Sequence, residues 1–178
     1  SGGFNIFMTK TVFQSKFFHI DQVEVEHKGK QFTKDIIVRR DVVLILPLNE
    51  QNELYMVQQY RDALQKVALE IVAGQMDEGE EPTDAVKREL REETGLQAGT
   101  LKHLMTWQQS ANMVGKNHLF LATDLTEGEA APDDDEDIET VKIPFEEVMK
   151  KVENGEIDVV SNVAALLLLD KLKKEGSV

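Results

Sequence analysis

A chain of 178 residues, 41% hydrophobic and 30% charged, carries enough apolar material for one domain with a full core. It holds no cysteine, which excludes disulfides and thiolate metal sites and suits a reducing compartment. With 33 acidic against 20 basic residues the formal charge is −13, which repels nucleic-acid backbones and leaves small phosphorylated ligands, neutralised locally, as the anionic partners to consider.

The start, Ser1-Gly2-Gly3, lacks the basic and apolar stretches of a signal peptide; it reads as a cloning remnant, with Met8 near a natural start. Residues 17–26 partly alternate, with Ile20, Val23 and Val25 among polar neighbours, and predict a strand. Lys28-Gly29-Lys30 predicts a hairpin turn into a return strand over 32–39. The β-branched and leucine run 42–48, closed by Pro47, predicts a buried strand. A turn at 49–52 leads into a further strand over 53–60.

Helical signals come later. Glu81-Pro82-Thr83-Asp84 supplies acidic groups and a proline suited to a first helical turn. The pattern runs through Ala85, Val86 and Leu90 and stops at Gly95. Strands are expected over 101–107, 116–122 and 140–143, with an acidic loop at 133–137. Pro144 opens a helix over 145–153, stopped by Asn154-Gly155. A last helix, 161–174, carries Val163, Leu166, Leu167, Leu169 and Leu172, with lysines near its end as the helix dipole prefers. Its apolar run 163–169 is too short to span a membrane, and a cytoplasmic location is expected. No internal repeat is visible, the four histidines lack metal-ligand spacing, and mixed strands and helices in this order predict an α+β fold.

One segment carries the chemistry. Glu89, Glu92 and Glu93 lie at i, i+3 and i+4, so their carboxylates share one helix face. Packed like charges weaken a helix unless a cation sits among them. Carboxylate oxygens are the ligands Mg²⁺ prefers, and that ion recruits phosphates to complete its shell. Such a cluster suits phosphoryl chemistry, in which a metal ion polarises phosphate and acidifies an attacking water. A lone E-x-x-E-E would read as a solvated acidic face. Here Gly74, Glu80, Arg88 and Gly95 stand at fixed positions around the triplet.

Residues 74–96, Gly74-Gln-Met-Asp-Glu-Gly-Glu80 followed seven residues later by Arg88-Glu-Leu-Arg-Glu-Glu-Thr-Gly-Leu96, resemble the Nudix box at every defining position. The resemblance implies an α/β/α sandwich, an N-terminal antiparallel sheet region over 1–40 and a catalytic domain over 41–178. It implies Mg²⁺, with Mn²⁺ as an alternative, held by Glu89, Glu92 and Glu93 and by the carbonyl of Ala73. Arg88 would orient a neighbouring glutamate and Glu80 would brace the loop, with Arg88 and Glu92 counted among the catalytic residues.

Outside the box, Arg39-Arg40-Asp41-Val42-Val43, Gln58-Gln59-Tyr60-Arg61, Leu69-Glu70-Ile71-Val72-Ala73-Gly74 and Glu136-Asp137-Ile138-Glu139 are similar to the ADP-ribose pyrophosphatase branch. That branch implies a homodimer with exchanged N-terminal strands, and hydrolysis of a nucleotide-sugar pyrophosphate, ADP-ribose to AMP and ribose 5-phosphate. Arg61 would offer a planar fork to phosphate or ribose oxygens, where a plain surface arginine would merely pair with an acid. Glu70 would support the site, since a buried lone carboxylate is costly. Phe32 or Phe17 would stack on the base, although single aromatics more often serve packing. Within the acidic run the resemblance implies a base that deprotonates the attacking water, Glu136 first and Asp134 second. Many ADP-ribose enzymes carry a proline about sixteen residues past the box, and Trp107-Gln108-Gln109-Ser110-Ala111-Asn112 has none there. That departure raises GDP-mannose or a broad nucleotide-sugar range as alternatives. A nucleoside triphosphatase or dinucleoside polyphosphate hydrolase is disfavoured by the long strand region before the box, and a non-catalytic sensor by the intact glutamates.

Overall fold

The computed structural model describes residues 5–128 and 138–178. In chain order the elements are β1 (Asn5–Gln14), β2 (Phe18–His27), β3 (Lys30–Arg39), β4 (Val42–Pro47), β5 (Glu53–Arg61), β6 (Lys66–Gln75) and α1 (Pro82–Thr94). There follow β7 (Gln97–Gln108), β8 (Met113–Val114), β9 (Lys116–Thr126), β10 (Ile138–Pro144), α2 (Phe145–Glu153) and α3 (Val160–Lys174). They form two compact units: the chain up to Asp41 with Trp107–Lys116, and Val42–Thr106 with Asn117–Val178.

The first unit is a sheet in the order β1-β2-β3-β8. Lys28 and Gly29 both take left-handed backbone angles, φ 52 and 72, and His27 pairs with Lys30 across them. Two positive-φ residues in a two-residue loop match the right-handed twist of the flanking strands, which is why glycine stands there. β1 runs antiparallel to β2 with register shifts at Ile6/Met8 and Thr11/Phe13. Val23 and Val25 are buried, whereas Ile6, Phe7, Met8, Val12 and Phe13 of β1 lie about half exposed.

The second unit carries a six-stranded sheet in the order β10-β5-β6-β4-β9-β7. β4 lies between β6 and β9, antiparallel to the first and parallel to the second. It is buried from Val43 to Pro47, as a strand covered on both faces must be. Alternation sorts its side chains. Val43 and Ile45 join Tyr55, Val57, Val72, Phe120 and Ala122 in one core with Ala85, Val86 and Leu90 of α1. Leu44 and Leu46 are also buried but point to the opposite side, where α3 contacts β4 and α2 contacts β5 and β10. Phe145, Val148, Leu166 and Leu169 supply that layer. Helices therefore cover both faces of a mixed sheet, and the fold is α+β with α/β/α layering in this unit. Among the described residues no helix is long and apolar enough to cross a membrane.

Three strands, β1, β6 and β8, escape the sequence reading. β1 lies ahead of the first alternating segment, β8 is two residues long, and β6 mixes charged and apolar residues and divides its pairing between two strands. Its first half, Lys66–Ile71, pairs with β5 and its second, Val72–Gln75, with β4.

Candidate active site

Helix α1 is fixed at both ends by local chemistry. Pro82 stands in the first turn, where its missing N–H costs nothing. Gly95 closes the helix in the left-handed region at φ 72, its N–H donating to the Arg91 carbonyl at 2.9 Å. Ala85, Val86 and Leu90 face the sheet, and this sets the carboxylate face against the end of β6.

Glu89 and Glu93 are buried, at 9% and 7% exposure, whereas 38% of the Glu92 side chain is exposed. The carboxyl group of Glu89 nests on the backbone of Gly74: a Cβ there would stand 1.8 Å from its Cδ. Only glycine lets that carboxylate reach the strand. One residue earlier on β6, the N–H of Ala73 donates to Glu93 Oε2 at 3.4 Å. The helix and the strand thus bring Glu89 and Glu93 to consecutive residues of one backbone.

Arg88 ties this cluster to the loop before the helix. Its Nε donates to Glu80 Oε1 at 3.0 Å and its Nη2 to Glu80 Oε2 at 2.9 Å and to the Gln75 carbonyl at 3.0 Å. Its Nη1 donates to Glu89 Oε1 at 2.6 Å and to Glu92 Oε2 at 3.1 Å. Glu80 also accepts from the Asp77 N–H at 2.8 Å, so it braces the loop. The Arg88 fork holds the Glu80 carboxyl below the usual glutamate range, and Glu80 in turn raises the guanidinium further above its ordinary value.

On the same sheet face, Glu70 stands on β6 two residues before Val72 and accepts from Arg61 Nε at 2.6 Å. Glu70 is buried and 43% of the Arg61 side chain is exposed. Burying a carboxylate without a partner is costly, and Arg61 supplies the partner. Phe32 and Phe17 belong to the N-terminal unit and are 45% and 56% exposed, so neither serves as core packing. Glu136 and Asp134 lie outside the described residues. The cluster's donors are all oxygens, four carboxylates and nearby backbone carbonyls, which is the donor set of a hard divalent cation. Among the described residues, however, no three His, Cys, Asp or Glu side chains stand together in a metal-holding arrangement.

A second polar cluster has no local signature in the sequence. Tyr55 Oη donates to Glu127 Oε1 at 2.9 Å, and Lys142 Nζ donates to the same atom at 3.3 Å. Burial first, then Glu127, raises the tyrosine hydroxyl above its usual pKa. The Thr140 hydroxyl donates to the Glu93 carbonyl at 3.1 Å, joining β10 to the end of α1. These residues lie far apart in the chain, and only the folded sheet brings them together.

A NUDIX domain model matches residues 38–163, which include the whole of this cluster. The chain belongs to the NUDIX family. Its relatives place it in the ADP-ribose pyrophosphatase branch, and as a Nudix pyrophosphatase it is a hydrolase. It is 32% identical over 142 residues to an ADP-ribose pyrophosphatase of Bacillus subtilis, covering 78% of this chain and 76% of that protein. It is 26% identical over 178 residues to the ADP compounds hydrolase NudE of Escherichia coli, covering 97% of this chain and 95% of that one. A crystal structure of an ADP compounds hydrolase superposes with a TM-score of 0.86 at 27% identity, over 98% of this chain and 97% of the other. Nudix hydrolases generally use divalent metal ions, and the oxygen donors here fit one.

Proposed function

We propose that this Nudix enzyme hydrolyses the pyrophosphate bond of nucleoside diphosphate sugars in a Mg²⁺-dependent reaction that Mn²⁺ also supports, with ADP-ribose as substrate and AMP and ribose 5-phosphate as products. The observation that carries this reading is the nesting of Glu89 on Gly74 beside Glu92 and Glu93, an all-oxygen cluster seated between strand and helix. ADP-ribose pyrophosphatases and an ADP compounds hydrolase among the relatives supply the substrate class.

In this reading Glu89, Glu92, Glu93 and the Ala73 carbonyl hold the ion. Bound there, it would neutralise diphosphate charge and acidify water. Arg88 keeps Glu89 and Glu92 oriented. Arg61, steadied through Nε by Glu70, turns its exposed fork to phosphate or ribose oxygens. Phe32 stacks on the base. Glu136, with Asp134 as the alternative, takes the proton of the attacking water; a positioned base contributes roughly 10²–10⁴-fold. Residues 1–40 form the strand region exchanged in a homodimer and residues 41–178 the catalytic domain, and the half-exposed apolar side chains of β1 support that exchange. The enzyme works in the cytoplasm.

Product analysis by chromatography tests the substrate, comparing ADP-ribose, GDP-mannose, UDP-glucose, NADH and a nucleoside triphosphate with Mg²⁺ and with chelator. The expected result is AMP and ribose 5-phosphate from ADP-ribose in Mg²⁺ alone. Faster cleavage of GDP-mannose would shift the substrate to the alternative raised by the missing proline near Gln109. Turnover of ADP-ribose in chelator at the Mg²⁺ rate would sink the metal reading. Glu136→Gln is expected to lower kcat by about 10²–10⁴-fold with KM little changed.

A further inference from the structure

Two carboxylates of the cluster, buried Glu89 and part-exposed Glu92, do not converge on an open point. Glu89 Oε1 and Glu92 Oε2 both meet the same nitrogen, Arg88 Nη1, at 2.6 and 3.1 Å. The other three bonds of Arg88 go elsewhere, two to Glu80 and one to the Gln75 carbonyl. The guanidinium is therefore divided: an anchored edge, Nε and Nη2, that touches neither of those carboxylates, and a bridging corner, Nη1, that touches both.

We propose that Arg88 is a displaceable internal counter-ion of the site, its Nη1 competing with a divalent cation for Glu89 and Glu92 while Nε and Nη2 stay fastened to Glu80 and Gln75. This rests on the reading that those two glutamates take the ion. Three physical points support it. Glu89 and Glu92 are i, i+3 neighbours whose repulsion would spread them apart without a cation between. An arginine cannot relieve the conflict with an incoming cation by losing its proton, so Nη1 must move. Its anchored edge keeps it from moving far, so it stays beside the ion as a like charge. Arg88 thus holds the carboxylates assembled before the ion arrives, weakens the ion's grip afterwards, and so favours exchange over tight retention.

A role as plain structural brace predicts that any loss around Arg88 loosens metal binding. Competition predicts opposite signs for two variants. In Arg88→Gln the bridging charge is gone, and the metal-stripped full-length protein should bind Mn²⁺ about tenfold more tightly, within the roughly 5–150-fold span usual for coupled sites. In Glu80→Gln the anchor is weakened, the guanidinium is left with fewer opposing charges, and Mn²⁺ binding should loosen several-fold although no ligand has changed. The readout is the free-Mn²⁺ spin-resonance signal in a titration, with circular dichroism checking the fold. The Mg²⁺-induced rise in Tm should follow the same order, largest in Arg88→Gln and smallest in Glu80→Gln. Equal or weaker Mn²⁺ binding by a folded Arg88→Gln overturns the proposal. If that variant does not fold, Arg88→Met, a second uncharged replacement, takes its place, and Mn²⁺ binding no tighter than in the unaltered protein overturns the proposal. A Glu80→Gln that binds as tightly as the unaltered protein overturns it as well. Glu89→Gln separates the two readings: if it binds Mn²⁺ like the unaltered protein, the ligand assignment has failed, whatever Arg88 does.

Discussion

The face of β4 under α1 and the face of β1 carry similar side chains and treat them in opposite ways. Val43 and Ile45 are wholly buried against Ala85, Val86 and Leu90, whereas Ile6, Phe7 and Met8 remain half exposed. Propensity is alike in the two strands, so the difference lies in what covers them. A helix delivered by the chain itself closes the first, and the continuous apolar run that marks β4 as buried therefore reports cover from the same chain. For β1 the described residues of its own unit supply no such cover. An apolar strand of that kind is a liability unless something else protects it.

Substitutions on the two faces can break or sharpen this contrast. The largest effect is expected at the helix interface. Leu90→Ala should cost about 2–5 kcal/mol of stability in urea unfolding, since it empties a fully enclosed site. Next comes the point where that helix meets the strand. Gly74→Ala sets a methyl group against the Glu89 carboxyl group, so kcat should fall by roughly 10²-fold with the circular dichroism spectrum kept, as expected for a displacement near 1 Å. A smaller effect concerns acid. Glu80 ionises more readily when folded because Arg88 holds it, so it adds stability above the ordinary glutamate pKa of about 4.3 and loses it as pH falls through the lower folded value. The Tm gap between the unaltered protein and Glu80→Gln should accordingly narrow below that pH. The smallest change is expected for Ile6→Ala, within about 0.5 kcal/mol in dilute protein. A cost that grows with protein concentration is expected where the proposed homodimer forms and a second copy covers β1.

Much of the fold is legible because its signals are local. Residues 42–48 read as a buried run, Lys28-Gly29-Lys30 as a hairpin turn, and Pro82 and Gly95 as the bounds of α1. The spacing of Glu89, Glu92 and Glu93 places them on one face by helix periodicity alone. What the sequence hides is set by pairing across distance. β6 mixes Lys66, Glu70 and Gly74 with apolar residues, so no single period marks it, although Ala68, Glu70, Ile71 and Val72 are buried. That Arg88 would divide its bonds between Glu80, Gln75, Glu89 and Glu92 follows from how the loop folds back on the helix. Tyr55, Glu127 and Lys142 meet only because β5 and β10 are neighbours. The depth of burial of Glu89 and Glu93 likewise follows from the missing side chain at Gly74.

The split pairing of β6 limits how this chain can change length. Its first six residues are measured against β5 and its last four against β4, with Glu70 on one half and Gly74 on the other. Deleting or adding a single residue between them would turn one half over, so that either Arg61 loses Glu70 or Glu89 loses its seat. Drift in length within this part of the molecule is therefore confined to the turn at 62–65 and to the loop after Gln75, and homologous chains should differ there while the count from Glu70 to Gly74 stays constant.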